Sequence, residues 1–490
     1  MSLIEQTRAA LVRAESVYRA TPSARRVSAL AARLDEPLRV AIAGRVKSGK
    51  STLLNALVGE RLAPTDAGEC TRIVTWFQDG HTYRVDLYPR DLRPRQARFT
   101  RDEGVLEIDL GGMAPDKVDQ LVVTWPSRAL RTATLIDTPG IGSLTESVSR
   151  RTWELLTVED DEDAPADAVL YLMKHLHSGD VEFLRAFQDT EVSRPNPINA
   201  IGILSRADEI AVGRIDAMGS ARKIATRLST DPRVRRVVQT VLPVAGLLAE
   251  TAATLTETEV QQLRRVAALS PGDVEDLLLS ADRFVNTRPE MGVTETERLA
   301  LLQRFGIFGI RTASSLLRRG VSSTASELSR ELTDRSGLAE LQSVLSSLFF
   351  ERREVLKSRS ALLGLAALTR SAPVPGSDDV AGEVEQIIAS AHPFNELRVL
   401  SALRAGWITS KPEVMAELET LIGGAGTSPH LRLGVPPDAG SEVVREAAFA
   451  ALSRWQRRAE NPITSYELAL DSRVAVRSCE GILSALVRVP

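Results

Sequence analysis

The chain has 490 residues, of which 43% are hydrophobic and 26% charged, and its formal net charge is −3. This length exceeds what one hydrophobic core usually supports, so we expect two or more structural units. The near-neutral charge argues against a dedicated nucleic-acid binder, which normally carries a strongly basic face. Two cysteines, Cys70 and Cys479, show no metal-binding spacing and favour a reducing compartment.

The sequence contains no apolar run of about 18 residues, the length at which a segment becomes a candidate membrane-spanning helix. Its first residues lack the charged-then-apolar order of a signal peptide. We therefore expect a cytoplasmic protein whose contact with a membrane is peripheral. His175 and His177 are neighbours, but two ligands are too few for a metal site.

The chain is predicted to begin with helix over residues 1–35, interrupted near Pro22. Apolar runs of strand length then alternate with helical stretches, which indicates an α/β domain with a mostly parallel sheet. Asp79-Gly80 stands between two β-prone runs and predicts a hairpin, and therefore an antiparallel edge. The candidate strands are 38–43, 73–77, 83–87, 121–125, 134–136, 168–172, 200–204 and 237–244.

After residue 249 the strand patterns disappear and helical patterns continue to the end. Thr256 and Thr294 each precede a glutamate by three residues, the signature of a capping box at the start of a helix. Gly306 and Gly309 interrupt a helical pattern and indicate either a kink or close packing between helices. The longest candidate helix covers residues 338–369, with leucines at heptad-like spacing. The sequence thus predicts an elongated all-α bundle after the α/β domain.

The strongest motif is Gly44-Arg45-Val46-Lys47-Ser48-Gly49-Lys50-Ser51, which follows an apolar run and opens a helix. Its glycines let backbone amides face a β-phosphate, while Lys50 can bridge the β- and γ-phosphates and Ser51 can ligate Mg²⁺. The strand before the loop and the helix after it make the pattern specific. The predicted phosphate-binding residues are Gly44, Ser48, Gly49, Lys50, Ser51 and Thr52.

A second motif, Asp137-Thr138-Pro139-Gly140, directly follows the apolar run 134–136. In GTPases this aspartate holds Mg²⁺ through water, and the glycine amide touches the γ-phosphate. ATPases more often carry an apolar strand that ends in Asp-Glu, so the motif favours a guanine nucleotide. A plain proline turn is the alternative.

Thr71 lies twenty residues beyond Ser51, where a loop can supply a threonine to Mg²⁺ once the γ-phosphate is bound. Thr65 and Thr75 are competing candidates. Ile141, rather than a glutamine, follows Gly140, so backbone groups or the threonine would have to position the attacking water. The predicted metal ligands are Ser51, Thr71 and, through water, Asp137; the predicted catalytic residues are Lys47, Lys50, Thr71 and Gly140.

The base-reading element is predicted at Ser205-Arg206-Ala207-Asp208, after the strand candidate 200–204. Asp208 can accept hydrogen bonds from the guanine N1 and exocyclic amine, and the stem of Arg206 can lie over the ring. Ser205 stands where asparagine or threonine is common. The last strand candidate delivers Pro243-Val244-Ala245-Gly246, where Val244 and Ala245 are placed to back the base with main-chain amides. Alternatively, Asp208 is the N-cap of the next helix.

Taken together, the motifs at 44–55, 62–64, 70–72, 137–140 and 205–208 resemble those of the dynamin superfamily. The resemblance implies a Mg²⁺-dependent GTPase that remodels anionic membranes at the inner face of the plasma membrane. It also implies a homodimer through the GTPase heads, or hetero-assembly with a related dynamin-like protein. The implied domains are an N-terminal helix packing with the neck (1–35), a GTPase domain (36–255), neck helices (256–335), a helical trunk with a membrane tip (336–460) and a C-terminal helix returning to the neck (461–490).

Val46 and Lys47 depart from the dynamin pattern, which has Gln-Ser at these positions. Dynamins use that serine with a monovalent cation to neutralise charge that develops between the β- and γ-phosphates. Guanylate-binding proteins place an arginine at the Lys47 position. We therefore predict that Lys47 supplies this positive charge itself. A solvated lysine beside a phosphate-rich site is the alternative.

A helical trunk that contacts lipid needs an apolar or aromatic tip with cations nearby. Trp407 and Ile408 lie between two basic residues, and Leu431 and Leu433 lie in a glycine-rich stretch. Ordinary packing between helices is the alternative for each pair.

Two other functions remain open at this stage. A ribosome-assembly GTPase would need a basic C-terminal domain with a nucleic-acid clamp, which the near-neutral helical half does not show. We therefore expect no nucleic-acid partner. A scaffold that binds nucleotide with little hydrolysis, as partner to a related dynamin-like protein, is kept open by Val46 and Ser205.

Overall fold

The computed structural model describes residues 1–64, 73–102, 105–140, 166–174, 181, 199–287 and 292–488. It contains a nine-stranded mixed sheet with helices on both faces, followed by a large helical region. The predicted fold class, an α/β GTPase-type domain plus an all-α portion, is confirmed. Across these ranges, none of the helices combines the length and the apolarity that crossing a bilayer requires.

The sheet is built on five parallel strands. The described strands are β1 (Leu38–Gly44), β2 (Val74–Gln78), β3 (Arg84–Pro89), β4 (Arg95–Gln96), β5 (Arg98–Asp102), β6 (Val105–Asp109), β7 (Val118–Thr124), β8 (Ala133–Asp137), β9 (Ala168–Met173), β10 (Ala200–Ser205) and β11 (Val241–Val244). Their order in the sheet is β11-β10-β9-β1-β8-β2-β7-β3-β4. Strands β5 and β6 form a separate hairpin. Strands β11, β10, β9, β1 and β8 are parallel, whereas β2 pairs antiparallel with β8. The carboxyl ends of the parallel strands therefore share one rim, where ligands bind in such sheets.

The hairpin predicted around Asp79-Gly80 is wrong. Strand β7 lies between β2 and β3, parallel to the first and antiparallel to the second. Asp79 Oδ1 accepts a hydrogen bond from the Ser127 amide at 3.1 Å. Gly80 packs so closely on Thr124 that a Cβ there would come within 2.2 Å of Thr124 Cγ2. Asp79 and Gly80 therefore pack against the end of β7 and the residues that follow it, instead of forming a two-residue turn between paired strands.

Strand β1 shows how both faces of the sheet are covered. Successive side chains of a strand point to opposite faces. Val40 and Ile42 belong to a core shared with the phosphate-loop helix and with the helices after residue 337. Ala41 and Ala43 belong to a second core, shared with the helices between residues 217 and 336. The sheet is thus buried on both sides, which explains its continuous apolar strands.

After the two N-terminal helices, Leu3–Tyr18 and Ala24–Arg33, the described helices fall into two groups along the chain. Those of the α/β part are Lys50–Val58, Arg128–Thr132, Ala217–Thr230, Pro232–Arg235 and Gly246–Ala253, with 3-10 turns at Pro115–Lys117 and Ala207–Gly213. Those that follow are Glu257–Ala267, Pro271–Leu277, Ala281–Asn286, Glu295–Arg318, Ala325–Ser336, Leu338–Leu345, Arg353–Ser371, Ser377–Ser390, His392–Ala405, Pro412–Leu421, Pro429–Leu433, Ser441–Glu460 and Tyr466–Arg488. The capping boxes predicted at Thr256 and Thr294 are confirmed.

The long helix predicted over residues 338–369 is interrupted. A π-helical turn covers Ser346–Phe350, and Arg352 leaves helical geometry before the next helix begins. Arg352 is buried, and its guanidinium donates to the Gly423 carbonyl. This contact with a distant loop explains why the heptad-like leucines do not continue one straight helix.

The helix Glu295–Arg318 contains a sharp kink at Gly306, which has φ 60° and ψ 176°. Such a positive φ is accessible to glycine at little cost. The kink faces the helix Gly246–Ala253: the Thr251 hydroxyl donates to the Arg304 carbonyl, and a Cβ on Gly306 would lie 3.5 Å from Leu247 Cδ2. The kink predicted from the two glycines is therefore present, and it lies against the α/β domain.

Both ends of the chain pack differently from the prediction. The helices Leu3–Tyr18 and Ala24–Arg33 share a core with Arg353–Ser371 and Ser377–Ser390, which belong to the expected trunk rather than the neck. The last helix, Tyr466–Arg488, packs along Ser441–Glu460 and also on trunk helices. Both ends of the chain thus cover apolar faces of the trunk helices. The exact domain boundaries remain a prediction.

Candidate nucleotide site

The phosphate loop joins β1 to the helix Lys50–Val58 through residues with unusual backbone conformations. Gly44 has φ 147° and Gly49 has φ 91°, and a Cβ on Gly44 would come within 2.4 Å of the Leu172 carbonyl oxygen. Lys47 is also left-handed, with φ 61°, which is rare for a residue with a side chain. The helix N-terminus behind this loop presents amide groups and a positive dipole end, which together favour an anion.

Lys50 is held inside the loop. Its side chain is 9% exposed, and Nζ donates to the carbonyl oxygens of Gly44 and Arg45, each at 3.3 Å. Burial lowers the pKa of Lys50, while the nearby Asp137 carboxylate opposes that shift. A bound phosphate group would place a negative charge beside Lys50 and so favour its protonated form.

Ser51 and Asp137 meet at the end of β1 and β8. Ser51 Oγ donates to Asp137 Oδ2 at 2.7 Å, and Asp137 Oδ1 is buried with no hydrogen-bond partner among the described residues. Burial raises the pKa of Asp137, against the lowering effects of Lys50 and Ser51. A hydroxyl and an underbonded carboxylate are oxygen ligands of the kind that Mg²⁺ prefers, directly or through water.

Other metal-binding side chains are scarce around this pair. Within the described ranges, no group of three or more histidine, cysteine, aspartate or glutamate side chains could hold a metal ion. Ser51 and Asp137 would therefore need phosphate oxygens and water to complete an octahedral shell, as is usual for Mg²⁺.

Gly140 lies against the phosphate loop. A Cβ on this residue would come within 2.6 Å of Val46 Cγ2, 2.7 Å of Val46 Cα and 2.8 Å of Val46 N. Thr138 anchors the preceding turn, because its hydroxyl donates to the Ile42 carbonyl at 2.9 Å. The two predicted phosphate-binding segments are therefore brought together, and glycine is the residue that fits this contact.

A cavity of about 180 Å³ continues from the phosphate loop toward the ends of β10 and β11. Several predicted nucleotide-binding residues line it, namely Ser48, Gly49, Thr52, Ser205, Arg206, Asp208 and Val244. Leu53, Leu172, Ile203, Glu209, Gly246 and Leu247 complete the lining. Gly246 belongs to the segment predicted to back the base, and it lines the cavity. Leu247 was not predicted, although its place at the start of the helix after β11 could have indicated it.

Asp208 and Arg206 stand at the mouth of this cavity. Asp208 lies inside the 3-10 turn Ala207–Gly213, and the next α-helix begins only at Ala217, so the alternative N-cap role is not seen. Burial raises the pKa of Asp208, and Glu209 adds to the shift. Arg206 has φ 52° and pairs with Glu209 at 2.6 Å. Ser205 is buried, and its hydroxyl donates to the Met173 carbonyl at 3.3 Å.

Ala245 differs from its prediction. Its amide, expected to face the base, donates instead to the Ser336 carbonyl at 2.9 Å, and Ala245 does not line the cavity. The chain between the helices Ala325–Ser336 and Leu338–Leu345 passes beside the edge strand β11 at this point. A Cβ on Gly337 would come within 2.3 Å of the Pro243 carbonyl oxygen. This sheet edge is therefore occupied by the helical region.

Several predicted residues lie outside the described part of the chain. These are Thr71 and its competitor Thr65, together with Cys70, Ile141, His175 and His177. The other competitor, Thr75, is buried in β2, where its hydroxyl donates to the Ile73 carbonyl at 3.3 Å. Thr75 pairs across the sheet with Asp137, so it neighbours the magnesium candidates through the backbone.

The membrane-tip candidates divide by exposure. Trp407 is 36% exposed and Leu431 is 40% exposed, whereas Ile408 is 5% exposed and belongs to the core. Leu433 is half-buried and packs against the same core. The assignment of Ile408 to a lipid-facing tip is therefore wrong, because its side chain already packs between helices.

Comparison with known proteins decides the family. Residues 40–206 match the model of the Dynamin family. Over 491 aligned residues the chain is 40% identical to the isoniazid-induced protein IniC of Mycobacterium tuberculosis, with 99% of each protein covered. The chain belongs to the dynamin family. The dynamin relationship predicted from the motifs is thereby confirmed.

Two further members of the dynamin group are more distant. The chain is 33% identical to the bacterial dynamin-like protein of Nostoc punctiforme over 115 residues, which cover 21% of this chain and 16% of the relative. A solved structure of an oligomerised bacterial dynamin pair aligns with 99% of this chain and 79% of its own. That alignment has 13% identity and a TM-score of 0.31, which is too low to compare domain arrangements.

Proposed function

We propose that this dynamin-family protein binds GTP with Mg²⁺, hydrolyses it, and uses the reaction to bind and remodel membranes at the inner face of the plasma membrane. The observation that carries the enzymatic part is the meeting of Lys50, Ser51 and Asp137 beside a cavity that reaches Asp208. Phosphate-binding and base-reading groups thus lie on one rim of the sheet.

The proposed reaction is attack of water on the γ-phosphate. Lys50 and the amides of the phosphate loop would hold the β- and γ-phosphates, and the Gly140 amide would contact the γ-phosphate. Mg²⁺, held by Ser51 and through water by Asp137 and with Thr71 as a further predicted ligand, would supply positive charge to the phosphate oxygens. Lys47 would neutralise charge that develops on the bridging oxygen, because it is exposed at the rim of the same loop.

Guanine recognition would depend on Asp208 and Arg206. The half-buried carboxylate of Asp208 can accept hydrogen bonds from N1 and the exocyclic amine, which adenine does not offer in the same arrangement. The aliphatic part of Arg206 would cover the ring. Because Ala245 donates to Ser336, we assign contacts from the β11 side to the first residues of the next helix, Gly246 and Leu247.

Steady-state phosphate release, measured with and without liposomes, tests this proposal. We expect GTP turnover in the wild type, no turnover in Ser51→Ala, and faster turnover with liposomes. Nucleotide binding without turnover under either condition would instead favour a scaffold that partners a related dynamin-like protein. Stimulation by ribosomes or RNA, and not by liposomes, would favour the ribosome-assembly alternative.

Pairing of GTPase heads, within a homodimer or with a related dynamin-like protein, is the proposed form of assembly. Such pairing would make the specific rate of hydrolysis rise with protein concentration. A specific rate that stays constant over a hundredfold range of concentration would contradict the homodimer.

For the lipid contact, the structure offers one further surface. The turn between the last two helices exposes 92% of Ile463 and 78% of Tyr466. Arg457 is exposed in the last turn of the helix Ser441–Glu460, which leads into this turn. Two protruding apolar side chains with a cation nearby in the sequence suit insertion into the headgroup region of a bilayer.

Liposome flotation separates the candidate contacts. We expect Ile463→Ser/Tyr466→Ser to lower the bound fraction more than Trp407→Ser or Leu431→Ser/Leu433→Ser. The matched control is Phe449→Ser, which removes a 53% exposed side chain from the middle of the helix Ser441–Glu460. Equal binding by the Ile463→Ser/Tyr466→Ser variant and the wild type would exclude this turn as the lipid contact.

A further inference from the structure

Asn55 is a fully buried polar residue in the helix that begins at the phosphate loop. It lies four residues after Ser51, on the helix Lys50–Val58, and its exposure is 0%. Its Oδ1 accepts hydrogen bonds from the amides of Leu62 and Ala63, at 2.9 and 2.7 Å. The side-chain oxygen therefore fixes the backbone just after this helix.

The amide nitrogen of Asn55 is equally engaged. Nδ2 donates to the Ala63 carbonyl at 2.9 Å and to Glu250 Oε1 at 3.1 Å. An asparagine side chain has two acceptor sites and two donor hydrogens, so all four are used. A saturated network at a buried site holds its partners in one arrangement, and loss of one member leaves the others unpaired.

Glu250 connects this network to the base side of the cavity. It is 3% exposed and lies on the helix Gly246–Ala253, whose first two residues line the cavity. Burial raises the pKa of Glu250, and the hydrogen bond from Asn55 is the largest opposing effect, followed by Arg61 and Arg304. Arg61 Nε lies 3.5 Å from Glu250 Oε1.

Three segments that border the proposed nucleotide site or lead toward it in the sequence thus meet at one side-chain pair. They are the phosphate-loop helix, the helix at the base side, and the chain 62–64 that leads toward Thr71 in the sequence. We propose that Asn55 and Glu250 are a positioning pair for GTP hydrolysis, which holds these three segments in register without touching the nucleotide. This inference rests on the proposed GTPase activity.

The pair allows a sharp test because its amide and acid can be exchanged. Asn55→Asp is nearly isosteric and keeps the two acceptor bonds, but it places a carboxylate against Glu250 and against the Ala63 carbonyl. Glu250→Gln removes the charge and keeps an oxygen that can accept from Asn55. In the double variant Asn55→Asp/Glu250→Gln, the introduced glutamine amide can donate to the introduced carboxylate, so the bond between the two positions returns with reversed direction.

Three quantities are measured for each variant, together with its Tm: kcat for GTP, the Kd for a fluorescent GDP, and the Kd for a fluorescent non-hydrolysable GTP analogue. For Asn55→Asp we expect kcat to fall at least about tenfold and analogue affinity to fall, while GDP affinity stays within about twofold. We expect the exchanged double variant to recover kcat to within about threefold of Glu250→Gln alone.

A control for the chemical change alone is Asn286→Asp. Asn286 also lies on a helix and donates to a carboxylate, Asp282, but it is exposed and lines no part of the cavity. We expect it to leave all three quantities unchanged.

Two results would overturn the inference. One is an exchanged double variant no more active than Asn55→Asp. The other is an equal loss of GDP and analogue affinity together with a lower Tm, which would indicate a purely structural role. If the wild type does not hydrolyse GTP, the proposed function fails, but the two affinities still show whether the pair distinguishes GTP from GDP.

Discussion

Gly140 and Val46 are in contact so close that no larger residue fits at position 140. A Cβ on Gly140 would lie 2.6 to 2.8 Å from the side chain, Cα and amide nitrogen of Val46. Val46 belongs to the phosphate loop, and Gly140 belongs to the segment that is predicted to contact the γ-phosphate. The contact therefore links two parts of the site that the sequence could place only separately.

We expect Gly140→Ala to lower GTP turnover at least about tenfold, because the added methyl group must push the phosphate loop away. Since the contacts include backbone atoms of Val46, Val46→Ala should not restore activity. The control is Gly219→Ala on the helix Ala217–Thr230, where a Cβ meets nothing within 4 Å. Phosphate release measures the effect, and wild-type turnover in Gly140→Ala would show that the loop adapts.

Lys47→Ala should lower kcat by about tenfold or more while nucleotide affinity stays near that of the wild type. The expected cause is loss of a positive charge that acts only as charge develops on the transferred phosphate. Lys47→Arg should retain more activity than Lys47→Ala. The control is Lys223→Ala, which removes an exposed lysine from the helix Ala217–Thr230. Unchanged kcat in Lys47→Ala would leave only the solvated-lysine interpretation.

Asp208 should make guanine-nucleotide binding sensitive to acid. Burial raises the pKa of Asp208 above the ordinary aspartate range, so protonation begins at a higher pH than for an exposed carboxyl. The protonated acid cannot accept two hydrogen bonds, and GDP affinity should therefore fall as pH falls. Titrations of GDP binding from neutral to mildly acidic pH test this. Asp208→Asn should bind GDP weakly at every pH, without the wild-type pH dependence.

Asp471 should destabilise the folded protein at neutral pH. Burial raises its pKa to about 6 from 3.8, and Glu467 adds to the shift while Arg398 opposes it. Because the folded-state pKa is the higher one, stability is greatest below the unfolded pKa and is lost as pH rises through about 6. The loss is on the order of 2 to 3 kcal/mol at most.

Asp471→Asn should therefore raise Tm at neutral pH and flatten the dependence of the free energy of unfolding on pH between the ordinary aspartate pKa and about 6. The exposed Asp438, which lies outside any helix, provides the control, since Asp438→Asn should leave Tm near that of the wild type. Thermal unfolding at several pH values gives both. A lower Tm for Asp471→Asn at neutral pH would show that the ionised carboxylate is stabilising instead.

The parallel core of the sheet and the phosphate site were predictable because they rest on local signals. Strand β1 and the following helix carry their own apolar patterns, and Lys50, Ser51 and Asp137 sit at fixed places relative to strand ends. The register that aligns Ile42 with Asp137 brings these residues together without help from distant parts of the chain. The roles assigned to these residues in catalysis remain predictions.

Pairing between distant segments was not predictable in the same way. Asp79-Gly80 has the composition of a tight turn, but β7 competes successfully for the place beside β2. Short strands such as β4, with two residues, carry almost no periodic signal. Ala245 was assigned from its place after a strand, and nothing local indicated that the Ser336 carbonyl would take its amide.

The bend at Gly306 divides the helix Glu295–Arg318 into two segments of unequal length. At 1.5 Å per residue, the part after the bend, residues 307–318, is about 18 Å long, and the part before it, residues 295–305, is about 16 Å long. The bend itself lies against Leu247, whose neighbour Gly246 also lines the cavity. A rotation of about 10° at this point would displace the far end by about 3 Å, since arc length is the angle times an arm of this rise per residue. The length of helix beyond the bend, and with it the displacement for a given rotation, is therefore set by where Gly306 lies along this helix.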